Sequence, residues 1–301
     1  MLRMRPLAAL KAFHRLCVLE GEATEDRLGV GLLRPSARLS KTRPWNTWDP
    51  NVLAGSAQSR MKAIRSGDPS VPGNEGNVEL EARWYDALHN QGEPDYEVYD
   101  HPLYLAEAFA CWAVYSRGYL LGLEKPQSFP SSGIAADIGT INQSGCIVDL
   151  GCGIGFSTAG LAQLFPWATV IGTNIPGTPQ ARLAERVAYS GRRRFEMVAG
   201  PRDITGPVRM VFASEYFEHF REPISHLGEV LDVLQPDTLL IANTFNSRSI
   251  GHFDTYRDAG KELSGSRISR AFNEKLRQSG YIKVPTKLWN NRPAYWKNAR
   301  I

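Results

Sequence analysis

Residues 147–155 read Ile147-Val148-Asp149-Leu150-Gly151-Cys152-Gly153-Ile154-Gly155, and no other segment constrains the chain as tightly. A short apolar strand ends near an acid, three glycines alternate, and an apolar stretch from Phe156 to Phe165 follows. Glycine lets a backbone turn sharply and approach a ligand with no Cβ in the way. A glycine-rich turn between a strand and a helix is where α/β units receive nucleotide-like ligands. Spacing separates the possibilities. A dinucleotide turn of the Gly-x-Gly-x-x-Gly kind needs glycine at position 156, which is Phe156. A phosphate loop needs a Gly-Lys-Ser/Thr ending, which is absent.

What remains, Asp149-x-Gly151-x-Gly153-x-Gly155, resembles the cofactor loop of class I S-adenosylmethionine-dependent methyltransferases. The resemblance spans roughly residues 140–298. The other reading of the glycines is a turn that binds nothing.

From residue 146 the pattern alternates. Strands are expected at Cys146–Leu150, Thr169–Asn174, Arg194–Ala199, Val208–Ala213, Thr238–Thr244, Tyr281–Leu288 and Pro293–Lys297. Helices are expected at Ser157–Phe165, Pro179–Ser190, Pro223–Leu234 and Ile268–Gln278. Such alternation with short connections gives a mostly parallel sheet with helices on both faces. The fold class is therefore α/β, a Rossmann-like seven-stranded methyltransferase sheet whose antiparallel final strand is implied by the resemblance. Three regions follow: an N-terminal helical or irregular extension at 1–76, a helical lead-in and lid at 77–135, and the S-adenosylmethionine-binding domain at 136–301. Helices are expected in the lead-in near Val78–Asn90 and Pro102–Leu123, with loops at Ser66–Gly76 and Pro126–Ser132.

Four segments should meet where the parallel strands end. The glycine loop contributes Asp149, Gly151, Cys152, Gly153 and Gly155. Asp149 either orients the loop, meets the cofactor's amino group, or caps the following turn. The end of the second strand contributes Asn174, where the resembled family places an Asp or Glu on the ribose hydroxyls. An amide lacks the charge assistance that roughly doubles a hydrogen bond's strength. Asp203 and Ile204 follow the third strand and would flank the adenine, or form an ordinary turn. Ser214, after the fourth strand, would underlie the methionine part.

The run Ser214-Glu215-Tyr216-Phe217-Glu218-His219-Phe220 is the second informative string. Its Glu-x-x-Glu-His shape resembles ubiquinone-biosynthesis O-methyltransferases and small-RNA 2′-O-methyltransferases. In those proteins the residues matching Glu215, Glu218 and His219 hold a divalent cation. On a helix, offsets of three and four would place them on one face. His252 follows the fifth strand and could join them. The implied ion is Mg²⁺ or Mn²⁺, manganese accepting mixed oxygen and nitrogen ligands more readily. The metal-free reading makes His219 or His252 a general base, with Glu215 as a further catalytic group. His226 reads as structural.

No Asn/Asp-Pro-Pro-Tyr/Phe and no Pro-Cys follows the fourth strand, which disfavours chemistry on DNA bases. The expected activity is methyl transfer to a hydroxyl or amine, with a small-molecule acceptor favoured. The alternatives are an RNA or sugar 2′-O-methyltransferase, or an inactive methyltransferase-like binding or assembly protein.

Charge is uneven. Residues 71–140 carry 3 basic and 11 acidic side chains, whereas residues 261–301 carry 10 basic and 2 acidic ones. The basic C-terminal region and Arg192-Arg193-Arg194 could attract RNA; an ordinary solvated face reads the same way. The aromatics Trp84, Tyr85, Tyr96, Tyr99 and Tyr104 belong either to a lid over the acceptor or to packing. Four scattered cysteines (Cys17, Cys111, Cys146, Cys152) suit free thiols in a reducing compartment. No uninterrupted apolar run is long enough to span a bilayer. A cytoplasmic location is expected. Arg3, Arg5, Lys11 and Arg15, with no acid before Glu20, also fit a mitochondrial presequence.

Overall fold

The computed structural model describes residues 74–101, 104–124, 134–143, 145–190, 195–286 and 293–300. The expected extension at 1–76 lies almost wholly outside these residues, as do Pro102, the loop at 126–132, Cys17 and the three consecutive arginines.

The lead-in holds helix α1 (Asn74–Gln91), a 3₁₀ turn at Tyr96–Asp100, and a helical run made of α2 (Tyr104–Cys111), a π-turn (Trp112–Ser116) and α3 (Arg117–Leu123). Helix α4 (Ile134–Gln143) then leads into β1 (Cys146–Leu150). After it come α5 (Phe156–Leu164), β2 (Thr169–Thr173), α6 (Pro179–Ser190), β3 (Glu196–Val198) and β4 (Val208–Ser214). Helix α7 (Pro223–Leu234) and β5 (Thr238–Ala242) precede a hairpin of β6 (Thr255–Asp258) and β7 (Lys261–Ser264). The chain continues through α8 (Gly265–Gln278), β8 (Tyr281–Val284) and β9 (Ala294–Asn298).

Seven strands form one sheet in the order β3-β2-β1-β4-β5-β9-β8. Neighbours from β3 to β5 pair in parallel, and β9 runs antiparallel between β5 and β8. The antiparallel final strand is thus present and sits inside the sheet. Side chains alternate between faces, as strand geometry requires. Val148, Leu150, Val211, Ala213, Leu239, Ile241 and Trp296 pack with α1, α7 and α8 on one face. Ile147, Met210, Phe212, Leu240, Ala242 and Tyr295 pack with α3 to α6 on the other.

Two elements go beyond the sequence expectation: helix α4 and the hairpin β6–β7 both lie in stretches to which the sequence pattern gives no element. The hairpin's two-residue turn, Ala259-Gly260, has positive φ at both positions (47° and 77°), which matches the twist of the strands it joins. The lead-in aromatics resolve into packing: Trp84, Tyr85 and Tyr99 are buried in the first core cluster, with Tyr104 against it. Trp84 meets Tyr96, Tyr99 and Phe253 edge-on. No described helix is long and apolar enough to cross a membrane.

Candidate active site

Asp149 lies level with Gly172 and Phe212 at the ends of three adjoining parallel strands. Its side chain is 1% exposed. One carboxylate oxygen accepts from Ser157 Oγ (2.6 Å) and Thr158 Oγ1 (2.7 Å), which ties β1 to the first turn of α5. Burial pushes its pKa up to about 6 against the pull of those two hydroxyls. Asp149 therefore acts here on the loop and the helix start.

The three glycines do different work. All have left-handed backbones, with φ of 63°, 54° and 83°. At Gly155 a Cβ would sit 2.9 Å from Ala184 Cα, so this glycine lets α5 close on α6. A Cβ at Gly151 would overlap the Tyr216 ring. At Gly153 it would meet only Ala108, 4.0 Å away on α2. Gly153 is thus the open position of the bend.

The loop is fastened to β2. Gly151 N–H donates to Thr173 Oγ1 (3.0 Å) and Cys152 N–H to the Thr173 carbonyl (2.9 Å). Cys152 Sγ lies 3.1 Å from where a Cβ at Gly172 would sit, so a side chain on that strand position would crowd it. Asn174 donates its amide to the Gly153 carbonyl at 2.6 Å, and its Oδ1 accepts from Ile175 N–H. Asp203 caps its own 3₁₀ turn, its Oδ2 accepting from Gly200 N–H (3.0 Å), while Ile204 is buried in the core.

The ends of β4 and β5 supply the ionisable groups. Ser214 Oγ accepts from Ser116 Oγ (2.9 Å), on the π-turn of the lead-in. Glu215 is forced to φ 53°, a conformation that costs a non-glycine residue about 1 kcal/mol or more. Consequently residues 215–219 are not one helix; only Phe217–His219 forms a 3₁₀ turn. Thr244 then links both acids. Its hydroxyl donates to Glu215 Oε2 (2.5 Å) and its N–H to Glu218 Oε1 (2.7 Å). Glu215 Oε1 is buried with no hydrogen-bond partner. Glu218 is fully buried, and burial first, then the neighbouring Glu215 charge, raises its pKa well above the usual carboxylate range.

His219 Nδ1 lies 3.0 Å from Tyr99 Oη, and its ring is edge-on to His252 with centroids 5.1 Å apart. Burial and the nearby His252 push its pKa down to about 3. His252 is buried, with Nδ1 2.8 Å from the Ser247 carbonyl. Gly251, at φ 85°, is required here because a Cβ would overlap both His219 and Tyr99.

Glu215, Glu218, His219 and His252 are thus neighbours, yet they do not assemble as the expected cation site. Among the described residues no group of three or more His, Cys, Asp or Glu side chains is arranged to hold a metal. The left-handed turn at Glu215 breaks the helical face, and Thr244, Tyr99 and the Ser247 carbonyl take up ligand atoms. Ser116, Ala108 and Thr244 are site neighbours that the motifs do not reveal; Tyr99 enters the sequence reading only as a lid or packing aromatic, and Tyr216 only as part of the glutamate string.

A family profile described as a methyltransferase domain matches residues 148–242. Over that segment the chain is similar to methyltransferase domains. Solved structures with a similar fold include the plantazolicin methyltransferase BpumL with a desmethyl analogue and S-adenosylhomocysteine (12% identity, 74% of this chain and 98% of that one, TM-score 0.44). Magnesium protoporphyrin IX methyltransferase from Synechocystis PCC 6803, with bound S-adenosylmethionine, is similar over 84% of this chain and 96% of its own (13% identity, TM-score 0.37). The YcgJ protein of Bacillus subtilis is similar over 49% and 69% (15% identity, TM-score 0.34). No curated protein matches the sequence. The matched segment begins within β1 and ends with β5, and the lead-in, hairpin and final strands lie outside it.

Proposed function

We propose that this methyltransferase domain binds S-adenosylmethionine and methylates a hydroxyl or amine of a small-molecule acceptor. The observation that carries the reading is the bend at Gly153, bare on the side facing Ala108 and clamped by Thr173 and Asn174. The cofactor would be held by this bend, Asn174 and Ser214, with Glu215 Oε1 as a buried acceptor still lacking a donor. When bound, S-adenosylmethionine supplies an electrophilic methyl carbon on a positive sulfur.

The chain's own groups supply alignment and a route for the acceptor's proton. Asp149, Thr173 and Asn174 hold the bend rigid. Ser116 and Ser214 orient a polar acceptor where the lead-in covers β4. His219 stays neutral above about pH 4 and can hydrogen-bond an incoming group, while the Glu215–Glu218 pair is the better proton store because Glu218 is pushed upward. Glu107 is also nearly buried on α2. The Glu215 charge beside the site disfavours a phosphate-rich acceptor, which supports a small molecule over RNA.

A second reading, a binding or assembly protein without turnover, is favoured by one observation: the Asn174 amide is committed to the loop carbonyl. Titration calorimetry with S-adenosylmethionine and S-adenosylhomocysteine, followed by tritiated-methyl transfer to separated small-molecule, RNA and protein fractions, tests both. Binding with label in the small-molecule fraction is the expected result. Absence of binding at millimolar cofactor would overturn the proposal, and binding without transfer to any fraction would favour the second reading.

A further inference from the structure

The ring of Tyr216 lies where a Gly151 side chain would otherwise be, directly on the glycine bend. Its hydroxyl is 2.8 Å from His226 Nε2. His226 Nδ1 is 3.5 Å from Glu229 Oε2, one turn further along α7, and Glu229 Oε1 accepts from Arg202 Nε at 2.6 Å. Arg202 belongs to the 3₁₀ turn Pro201–Asp203, which stands in the β3–β4 connection where other parallel crossovers carry a helix. The imidazole is stacked on Phe220, with centroids 3.9 Å apart and planes 17° apart, and Phe217 adds a second ring.

The polarity of this chain is determined throughout. Glu229 can only accept while ionised, so His226 carries its proton on Nδ1 and Nε2 is left as an acceptor. Tyr216 must then donate. Arg202 holds Glu229 ionised, its pKa lying below the usual carboxylate value. Three side chains from two segments therefore fix one ring against one glycine. Packing alone would need none of these polar partners, and a phenylalanine would fill the same space.

We propose that Tyr216 is a positioning residue for the cofactor bend, held by His226, Glu229 and Arg202, so that the β3–β4 crossover and the glycine loop act as one ligand-binding unit. This rests on the methyltransferase reading above. The relay sets how far Gly151 can yield when a ligand enters, and it couples an exposed arginine to the glycine loop.

The test is S-adenosylhomocysteine affinity by calorimetry, with a double-mutant cycle. Tyr216→Phe should weaken binding about threefold to tenfold, the size of one neutral hydrogen bond. Glu229→Ala should weaken it comparably, Glu229→Gln should recover most of the loss, and the double variant should bind no worse than Tyr216→Phe alone. Arg202→Gln, on an exposed turn, provides the same cycle without disturbing α7. Losses that simply multiply, or parental affinity in both Glu229→Ala and Arg202→Gln, would overturn the relay and leave the methyltransferase reading standing. A parent protein that fails to bind S-adenosylhomocysteine would overturn both.

Discussion

Asn174 donates its side-chain amide to the carbonyl of Gly153 across 2.6 Å, joining the end of β2 to the open position of the glycine bend. A carboxylate cannot make this bond, because it has no hydrogen to give. The departure from the acid implied by the family resemblance therefore has a structural reason: here the residue fastens the loop.

Asn174→Asp should accordingly destabilise the fold. It places two acceptors against each other and leaves the Gly153 carbonyl without its donor, at a cost of about 1–3 kcal/mol. Denaturant unfolding should show a lower midpoint with an unchanged slope. Calorimetry should show no gain in S-adenosylhomocysteine affinity; a tighter complex would mean that the position serves the ribose first.

Asp149 makes stability depend on pH. Its pKa is about 6 in the folded chain, against about 3.9 for an unfolded aspartate. Between those values the native state holds more protons, so stability from this site is full below about pH 4 and is lost as pH rises through 6. Asp149→Asn keeps an acceptor for both Ser157 and Thr158 while removing the charge. The variant should match the parent below pH 4 and exceed it by about 3 kcal/mol at pH 8, as read from unfolding curves at several pH values.

Two glycines offer a contrast. Gly251→Ala drives a methyl group into the Tyr99–His219 pair and should cost about 2–4 kcal/mol, seen as a lower melting temperature. Gly153→Val meets open space, so its cost is backbone strain of about 1–2 kcal/mol. It should remain folded yet lose S-adenosylhomocysteine binding at least tenfold. Retained affinity in a folded Gly153→Val protein would count against the assigned loop.

Metal removal should change little. With both glutamates engaged by Thr244 and His219 turned to Tyr99, chelation or added Mg²⁺ or Mn²⁺ should leave cofactor affinity within about twofold, below the effect of losing one hydrogen bond. A larger change in calorimetry would require Glu215, Glu218, His219 and His252 to regroup around an ion.

Local signals were readable where one residue dictates its own geometry. Pro179 and Pro223 open helices whose bounds match the sequence expectation at both ends, since proline suits a first helical position. The glycine spacing marked the bend because each residue has positive φ. The hairpin β6–β7 was not legible: its turn is Ala259-Gly260, without the Asn-Gly or Asp-Gly signal, and its strands hold few apolar residues. The site was half legible for a different reason. Tyr99 meets His219 across 120 positions and Ser116 meets Ser214 across 98, contacts that no local periodicity encodes. Glu215 is the least legible residue: its left-handed backbone turns the string into a corner.

The placement of β9 bears on how the molecule is made. Tyr295 and Trp296 insert between β5 and β8, so a growing polypeptide emerges from the ribosome with its sheet split by a gap that only these late residues can fill. Until they arrive, Leu239 and Ile241 border an unsealed seam, open to pairing with another chain. Messages cut short before codon 294 should therefore yield aggregates or proteolytic fragments, with the glycine bend itself intact.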